Sequence, residues 1–454
     1  MEPGSTVSTK AARALLLVLF AANVYRAAMQ SITPPEAATY NRFVGPNLAD
    51  TLSVTTANNH VLNTLLARIS TSIFHLTDLS LRLPSLLGGL LYFWAVLRLA
   101  RRTFGTGPLY LAAVALLSIN PLVLDYLSMA RGYGLALAFW MWGLELMLEY
   151  LELNEPLREP KLNLAGACLG LSVAANLAFL VPAVALATAF SVHPTPRQSS
   201  RRFQDFWLPA VLTAFLILVI PLNHTNFASF NYGATSLRQT LNSLTALSLF
   251  HGDPSGLPPW LAAVVRVGVA VVALLVAVPR RGRPGGLLYL LAGTILLGFA
   301  GLELGHRVLK IPFPLGRSGL YFIPVFTLAG LCLIQRINWR PVEWAVLLVS
   351  GVYILQFNLN LYGEWPEYVN ARSAVKAIRQ DAGRRALRVA ASPGLDQVLN
   401  YYRARYALGA WVPVQPGLRT ASFDYYALSQ EDVGLVQEQH LHVVWRDGNL
   451  TVAR

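Results

Sequence analysis

The sequence predicts a polytopic α-helical membrane protein with about eleven transmembrane helices and a small C-terminal α/β domain. Three observations carry the prediction. Apolar runs recur at the length a bilayer demands, roughly 20 residues at helical rise. They leave the chain 54% hydrophobic and only 13% charged, where a soluble protein carries about 25% charged residues. Basic residues gather in alternate short connections between the runs, and after Gly363 the runs give way to strand, helix and hairpin signals.

The first run, 11–29, follows Lys10 and carries Arg13. No small-residue cleavage site follows it, so it reads as a retained helix rather than a signal peptide. The next spans are 81–100, 109–127, 132–151, 163–180, 181–191, 207–223, 260–278, 286–304, 320–334 and 342–361. The pair around Pro182 is short and reads equally well as one kinked hairpin. Basic clusters follow alternate spans, at Arg98/Arg101/Arg102, Arg158/Lys161, Arg197/Arg201/Arg202, Arg280/Arg281/Arg283 and Arg336/Arg340. Short basic loops stay cytoplasmic. One orientation satisfies all five: N-terminus in the cytoplasm and C-terminal domain outside the cytoplasmic (inner) membrane. This placement also accounts for most of the net charge of +13, so a nucleic-acid partner is not expected. Cys168 and Cys332 lie inside apolar runs and read as packing residues.

The chain thus divides into a membrane module, 1–362, with a long first outer loop at 31–80, and an extracytoplasmic domain, 363–454. Within the tail, 387–391 and 423–428 read as strands and 395–406 and 430–440 as helices. The stretches 441–446 and 449–453 flank Asp447-Gly448, a strong hairpin signal. No internal repeat is visible, which counts against transporters built from duplicated halves.

Candidate chemistry sits in the outer loops. Glu36 follows Thr33-Pro34-Pro35. That pattern fits a capping box with Pro at the first helical position, and it also fits a catalytic carboxylate on a rigid helix start. Asn59 and His60 precede an apolar stripe of Val61, Leu62, Leu65, Leu66, Ile69 and Ile73, which suits a helix lying in the membrane interface, with Asn63 and Arg68 on its polar side. Asp125 and Arg131 stand near the ends of two spans, where ionisable groups pair or serve a site. Tyr126 reads as an aromatic-belt residue, and Tyr133 stands nearby. Glu303, His306, Arg307, Lys310 and Arg317 form an outward cationic cluster that asks for an anionic partner, with Arg317 placed where a lipid phosphate would lie. His224, His251 and Asp253 show no metal-ligand spacing, so no metal site is assigned.

Five segments occur in order: EAATYNRFV, NNHVLNTLL, LRLPSLLGGLLYF, DYLSMARGYGLALAF and PFPLGRSGLYFIP. With the topology, they make residues 11–361 resemble the membrane GT-C glycosyltransferases of the dolichyl-phosphate-mannose protein mannosyltransferase, aminoarabinose transferase and rhizobial Rgt type. The resemblance implies transfer of a sugar from a polyprenyl-phosphate donor to a lipid, glycan or protein acceptor, with inversion. It implies Glu36 as general base. Many relatives carry Asp-Glu where this chain has Pro35-Glu36, which implies that either Glu36 works alone or another carboxylate, such as Asp125 or Asp50, assists. His60, Asn59, Arg131, Tyr133, Lys310 and Arg317 are the implied substrate-binding residues. No cofactor is assigned; the fold is compatible with a divalent metal ion. The rival readings are a transporter or flippase, and a polymer ligase for lipid-linked glycans.

Overall fold

The computed structural model describes residues 3–53, 56, 58–152, 158–194, 202–225, 231–249, 256–277, 285–383, 385–418 and 422–454. A long first helix, α1 (Pro3–Met29), leads into a loop of short helices: α2 (Pro34–Thr39), continued by a π turn over Tyr40–Val44, then α3 (Leu48–Ser53) and α4 (Val61–Phe74). The bundle follows with α5 (Asp78–Phe104), α6 (Pro108–Ile119), α7 (Pro121–Tyr126), α8 (Gly132–Glu152), α9 (Arg158–Ala175), α10 (Leu180–Ser191) and α11 (Arg202–Asn223). It closes with α12 (Leu237–Leu249), α13 (Pro259–Ala277), α14 (Gly286–Leu309), α15 (Phe322–Ile337) and α16 (Arg340–Leu355).

A helix occupies each stretch read as a span. Among the described residues, seven helices are long and apolar enough to cross a membrane, including α1, α5, α8, α11, α13 and α14. The protein is therefore a multi-pass membrane protein. The expected figure of about eleven exceeds what length and apolarity support, since α6 and α10 have 12 residues each.

One predicted span is two elements. The run 109–127 breaks at Asn120, whose Oδ1 accepts a hydrogen bond from the Val123 amide (3.2 Å), with Pro121 opening α7. A capping side chain followed by Pro stops one helix and starts another. The break takes Asp125 and Tyr126 out of a span and into a short helix beside the loops. The stretch around Pro182 is likewise a capped break. Asn176 Oδ1 accepts from the Ala178 amide (2.9 Å) over a single 3-10 turn before α10 begins.

Small residues let α9 and α11 touch. A Cβ on Gly166 would stand 2.1 Å from the Phe206 carbonyl oxygen, and one on Gly170 would stand 2.3 Å from that of Ala210. Such four-residue spacing of small residues is a common membrane-helix interface. At the far ends of α5 and α8, Arg98 and Arg102 reach the buried Glu145 (3.0 and 3.2 Å), which neutralises part of a basic cluster.

The tail forms a five-stranded sheet in the order β2-β1-β3-β5-β4. Its strands are β1 (Val389–Ala391), β2 (Gln415–Pro416), β3 (Tyr425–Ser429), β4 (Val443–Asp447) and β5 (Leu450–Ala453), with helices α17 (Ala371–Ala382), α18 (Leu395–Arg405) and α19 (Leu435–Glu438). β2, β1 and β3 run parallel, and β3, β5 and β4 antiparallel. The two-residue turn Gly448-Asn449, one position later than the Asp447-Gly448 read from the sequence, joins β4 to β5, with Asp447 paired to Leu450 and Gly448 at φ +55°. The helix read at 430–440 shrinks to a 3-10 turn and the one-turn α19, while α17 and β2 are not among the elements the sequence suggests.

This domain is locked onto the first loop. Asp78, buried at the start of α5, receives the Arg372 and Arg405 guanidiniums and the hydroxyls of Tyr401 (2.8 Å) and Tyr402 (3.2 Å). Arg372 also donates to the Gln30 carbonyl (3.0 Å), and the Ile32 amide donates to Tyr402 (2.9 Å).

Candidate active site

Glu36 lies in the first turn of α2 with no exposed surface. Its Oε1 accepts from Arg82 Nε (2.8 Å) and the Ala130 amide (2.6 Å). Its Oε2 accepts from Arg82 Nη2 (2.8 Å), the Thr33 amide (3.0 Å) and the Thr33 hydroxyl (2.9 Å). Arg82 is equally buried and donates further to the carbonyls of Ala27, Gln30 and Ser31. These donors fill the roughly four acceptor positions of a carboxylate. Burial alone would raise the Glu36 pKa, but the Arg82 charge and the Arg82, Ala130 and Thr33 hydrogen bonds outweigh it and hold the carboxyl below its usual range. The side chain joins the end of α1, the start of α2, helix α5 and the turn before α8. An acid open to an acceptor, as the sequence suggests for Glu36, does not describe this geometry.

The Ala130 amide that Glu36 holds fixes the next residue, Arg131. Arg131 is 1% exposed and donates to the Pro35 carbonyl, the Thr39 hydroxyl and Asn58 Oδ1, each at 3.2 Å. Its Nε has no partner, and among the described residues no carboxylate pairs with it. The Asp125–Arg131 pair suggested by the sequence is absent. Asp125 instead pairs with Arg26 of α1 and accepts from the Gly363 amide (2.8 Å).

Beside Arg131 the chain is closely packed. A Cβ on Gly132 would stand 2.0 Å from the Ala175 carbonyl oxygen and 2.8 Å from His60 Cβ, so α8 begins against the end of α9 and against His60. The His60 ring lies 4.9 Å from that of Tyr133, which lies 5.0 Å from that of Tyr126. Tyr126 is thus buried among site residues and is no belt residue. His60 is 3% exposed, with Nε2 unpartnered. Burial, then the charges of Arg131 and Arg317, push its pKa well below the ordinary histidine value.

The folded protein therefore holds His60 neutral while the unfolded chain protonates it below about pH 6.5. Stability rises with pH wherever the unfolded state binds more protons. The melting temperature in detergent is accordingly expected to fall as pH drops below about 6.5, with a contribution of up to about 1.4 kcal/mol per pH unit. His60→Gln should flatten that slope; an identical slope in the variant would refute the assignment.

Arg317 completes the cluster from the other side of the bundle. It sits on the 3-10 turn Gly316–Gly319, entered through Gly316 at φ +54°. Its Nη1 donates to Glu364 Oε1 (3.0 Å), and its guanidinium lies 5.8 and 5.9 Å from the rings of Tyr232 and Trp365. Glu364 Oε2 accepts from the Tyr126 hydroxyl. Burial, and with it the charge of Arg317, lowers the Arg131 pKa, against a favourable Tyr133. The two guanidiniums thus lie near enough to feel each other's charge, and the Glu364 carboxylate answers Arg317. From Tyr321, just past Arg317, an apolar groove runs between α14 and α15, lined by Pro182, Ile295, Phe299, Phe322 and Phe326.

The remaining expected residues lie elsewhere. Asn59 is buried and accepts from the Thr64 hydroxyl (3.0 Å), so it holds α4, and its neighbour Asn58 is the one that meets Arg131. Lys310 is exposed, in the left-handed conformation at the end of α14. His224 is exposed, and His251, Asp253 and the Asp50 side chain lie outside the described residues. Among the described residues no three His, Cys, Asp or Glu side chains converge as metal ligands. Glu364 is not singled out by the sequence reading, and Tyr126 is read there only as a belt residue. The signal for Glu364 was an acid set among aromatics, Tyr362-Gly363-Glu364-Trp365, just past the last apolar run.

Residues 61–224 match the family model for dolichyl-phosphate-mannose-protein mannosyltransferases. The structure of ArnT from Cupriavidus metallidurans in the apo state is similar over 99% of this chain and 98% of that chain, with a TM-score of 0.51 at 16% identity. The chain has a GT-C glycosyltransferase fold. Two further structures are similar to this chain. ArnT bound to undecaprenyl phosphate covers 97% of both chains at a TM-score of 0.49 and 16% identity. The arabinofuranosyltransferase AftD from Mycobacteria covers 84% of this chain and 29% of that chain at a TM-score of 0.49 and 19% identity. No curated protein matches the sequence. The matched stretch 61–224 begins beside His60 and contains Arg82, Asp125, Arg131 and Tyr133.

Proposed function

We propose that the protein transfers a sugar from a polyprenyl-phosphate donor to a lipid, glycan or protein acceptor on the outer face of the cytoplasmic membrane, with inversion. The observation that carries this reading is Arg131, a buried cation with no carboxylate partner among the described residues, opposed by Arg317. Leaving a buried charge unpaired costs several kcal/mol, and an anionic phosphodiester between the two arginines removes that cost. Planar guanidiniums match phosphate oxygens bidentately. The apolar groove that begins at Tyr321 would take the prenyl chain, which favours a lipid-linked donor over a soluble nucleotide sugar. ArnT, whose apo structure shares this fold, has been solved with undecaprenyl phosphate.

On this reading the acceptor attacks the anomeric carbon from the face opposite the phosphate. The departing phosphate gathers charge, and Arg131 and Arg317 stabilise it. His60, kept neutral between them, donates or accepts a hydrogen bond without adding a third positive charge. On this reading the N-terminus lies in the cytoplasm and the site outside, an orientation that the basic connections support. The division at 362/363 falls next to Glu364, so the segment entering the tail helps to wall the site.

The test is incubation of the purified protein with a panel of radiolabelled polyprenyl-phosphate sugars. Release of polyprenyl phosphate with label passing to water or an acceptor is expected for at least one sugar. Failure to bind or cleave any of them would overturn the reading.

A further inference from the structure

We propose, on the polyprenyl-phosphate reading above, that Glu364 is the catalytic base, its carboxylate taking the proton of the attacking acceptor. Among the described residues, the other acids near the site are engaged. Glu36 accepts five hydrogen bonds with no exposed surface. Asp78 is buried under Arg372, Arg405, Tyr401 and Tyr402. Asp125 joins Arg26 to the Gly363 amide, and neither contact reaches the two site arginines.

Glu364 differs in place and in capacity. Its Oε1 accepts one bond, from Arg317, and its Oε2 accepts one, from Tyr126. A carboxylate has about four acceptor positions, so roughly two stay open, and its side chain is 16% exposed. Arg317 links this acid directly to the phosphate site, and Tyr126 links it to the Tyr133–His60 stack. The rings of Tyr232 and Trp365 around Arg317 supply flat faces of the kind that bind sugars.

The step balances without another reactant. The acceptor oxygen forms a bond to the anomeric carbon as the bond from that carbon to the phosphate oxygen breaks. The electron pair of the broken bond leaves with the polyprenyl phosphate, and the acceptor's proton passes to the Glu364 carboxylate. A carboxylate base is the ordinary partner of an inverting displacement at a sugar carbon.

The experiment uses the full-length protein, the sugar that turns over in the panel, and two small nucleophiles, water and azide. Water must lose a proton when it attacks, and azide has none to lose. Glu364→Gln retains one acceptor oxygen for Arg317 and an NH2 that can donate to the Tyr126 hydroxyl oxygen, so it is expected to bind the donor as the wild type does while hydrolysing it about 10²–10⁴-fold more slowly. Glu364→Ala with azide is expected to release the glycosyl azide of inverted configuration at no less than the wild-type rate. Equal losses with water and with azide would mark a structural residue and overturn the proposal, as would normal hydrolysis by Glu364→Gln. A wild-type protein that cleaves no donor overturns the donor reading and the base together, whereas an active wild type with an unimpaired Glu364→Gln overturns the base alone.

Discussion

Glu36→Gln is expected to cost the folded protein about 3–5 kcal/mol, the usual penalty for removing one partner of a buried ion pair. The amide keeps a hydrogen bond to Thr33 but leaves the Arg82 guanidinium, which has no exposed surface, without its counter-charge. The melting temperature in detergent and the yield of monodisperse protein should both fall. Adding Arg82→Met removes the stranded charge, and the double variant should recover much of the loss, because the two sites form one interaction. The alternative role, a general base, predicts the reverse: Glu36→Gln folds like the wild type and loses transfer. That outcome would return Glu36 to the chemistry.

Arg131 should behave in the opposite way. Its charge has no carboxylate partner among the described residues, so its cost is met only when an anion binds. Arg131→Met is expected to keep or raise the melting temperature while weakening donor binding about 10–100-fold, the loss of one or two charge-assisted hydrogen bonds. Arg131→Lys and Arg317→Lys should weaken it as well, since a point charge cannot reproduce the planar fork. If the contact strengthens as the phosphate departs, the loss appears in kcat; if it is equal before and during reaction, it appears in KM. A destabilised Arg131→Met with unchanged donor binding would assign Arg131 to the scaffold.

The contrast between these two arginines marks where sequence reading stops. Apolar run length locates the helices, because a bilayer imposes that length on any chain. The hairpin around Gly448 is legible because two residues determine the turn. The Asn120-Pro121 break carries its signal in two adjacent residues, and only the apolar flanks hide it. Pairing is another matter. Glu36 meets Arg82 across 46 positions, and Tyr126 meets Glu364 across 238. Nothing local distinguishes the arginine that answers a carboxylate from the one left open. Asp125 and Arg131 stand six positions apart and read as partners, yet the end of α1 brings Arg26 to Asp125 and the turn before α8 carries Arg131 the other way. Asn58 and Asn59 show the same limit at the scale of one residue, since which of two neighbours faces the site depends on how α4 is capped.

The Asp78 lock has a consequence for how the protein is made. Asp78 enters the membrane region early in synthesis, and Arg372 and Tyr402 follow 294 and 324 residues later. Domains fold as units while the chain emerges, so most of the helices are inserted before the partners of the first loop exist. Through that interval the arginines of the site are present, but Glu364 and the clamp on Asp78 are not. A copy that stops before Gly363 therefore lacks both Glu364 and the partners of Asp78, so the surroundings of Arg317 and the first loop are completed only once the tail has been made and docked.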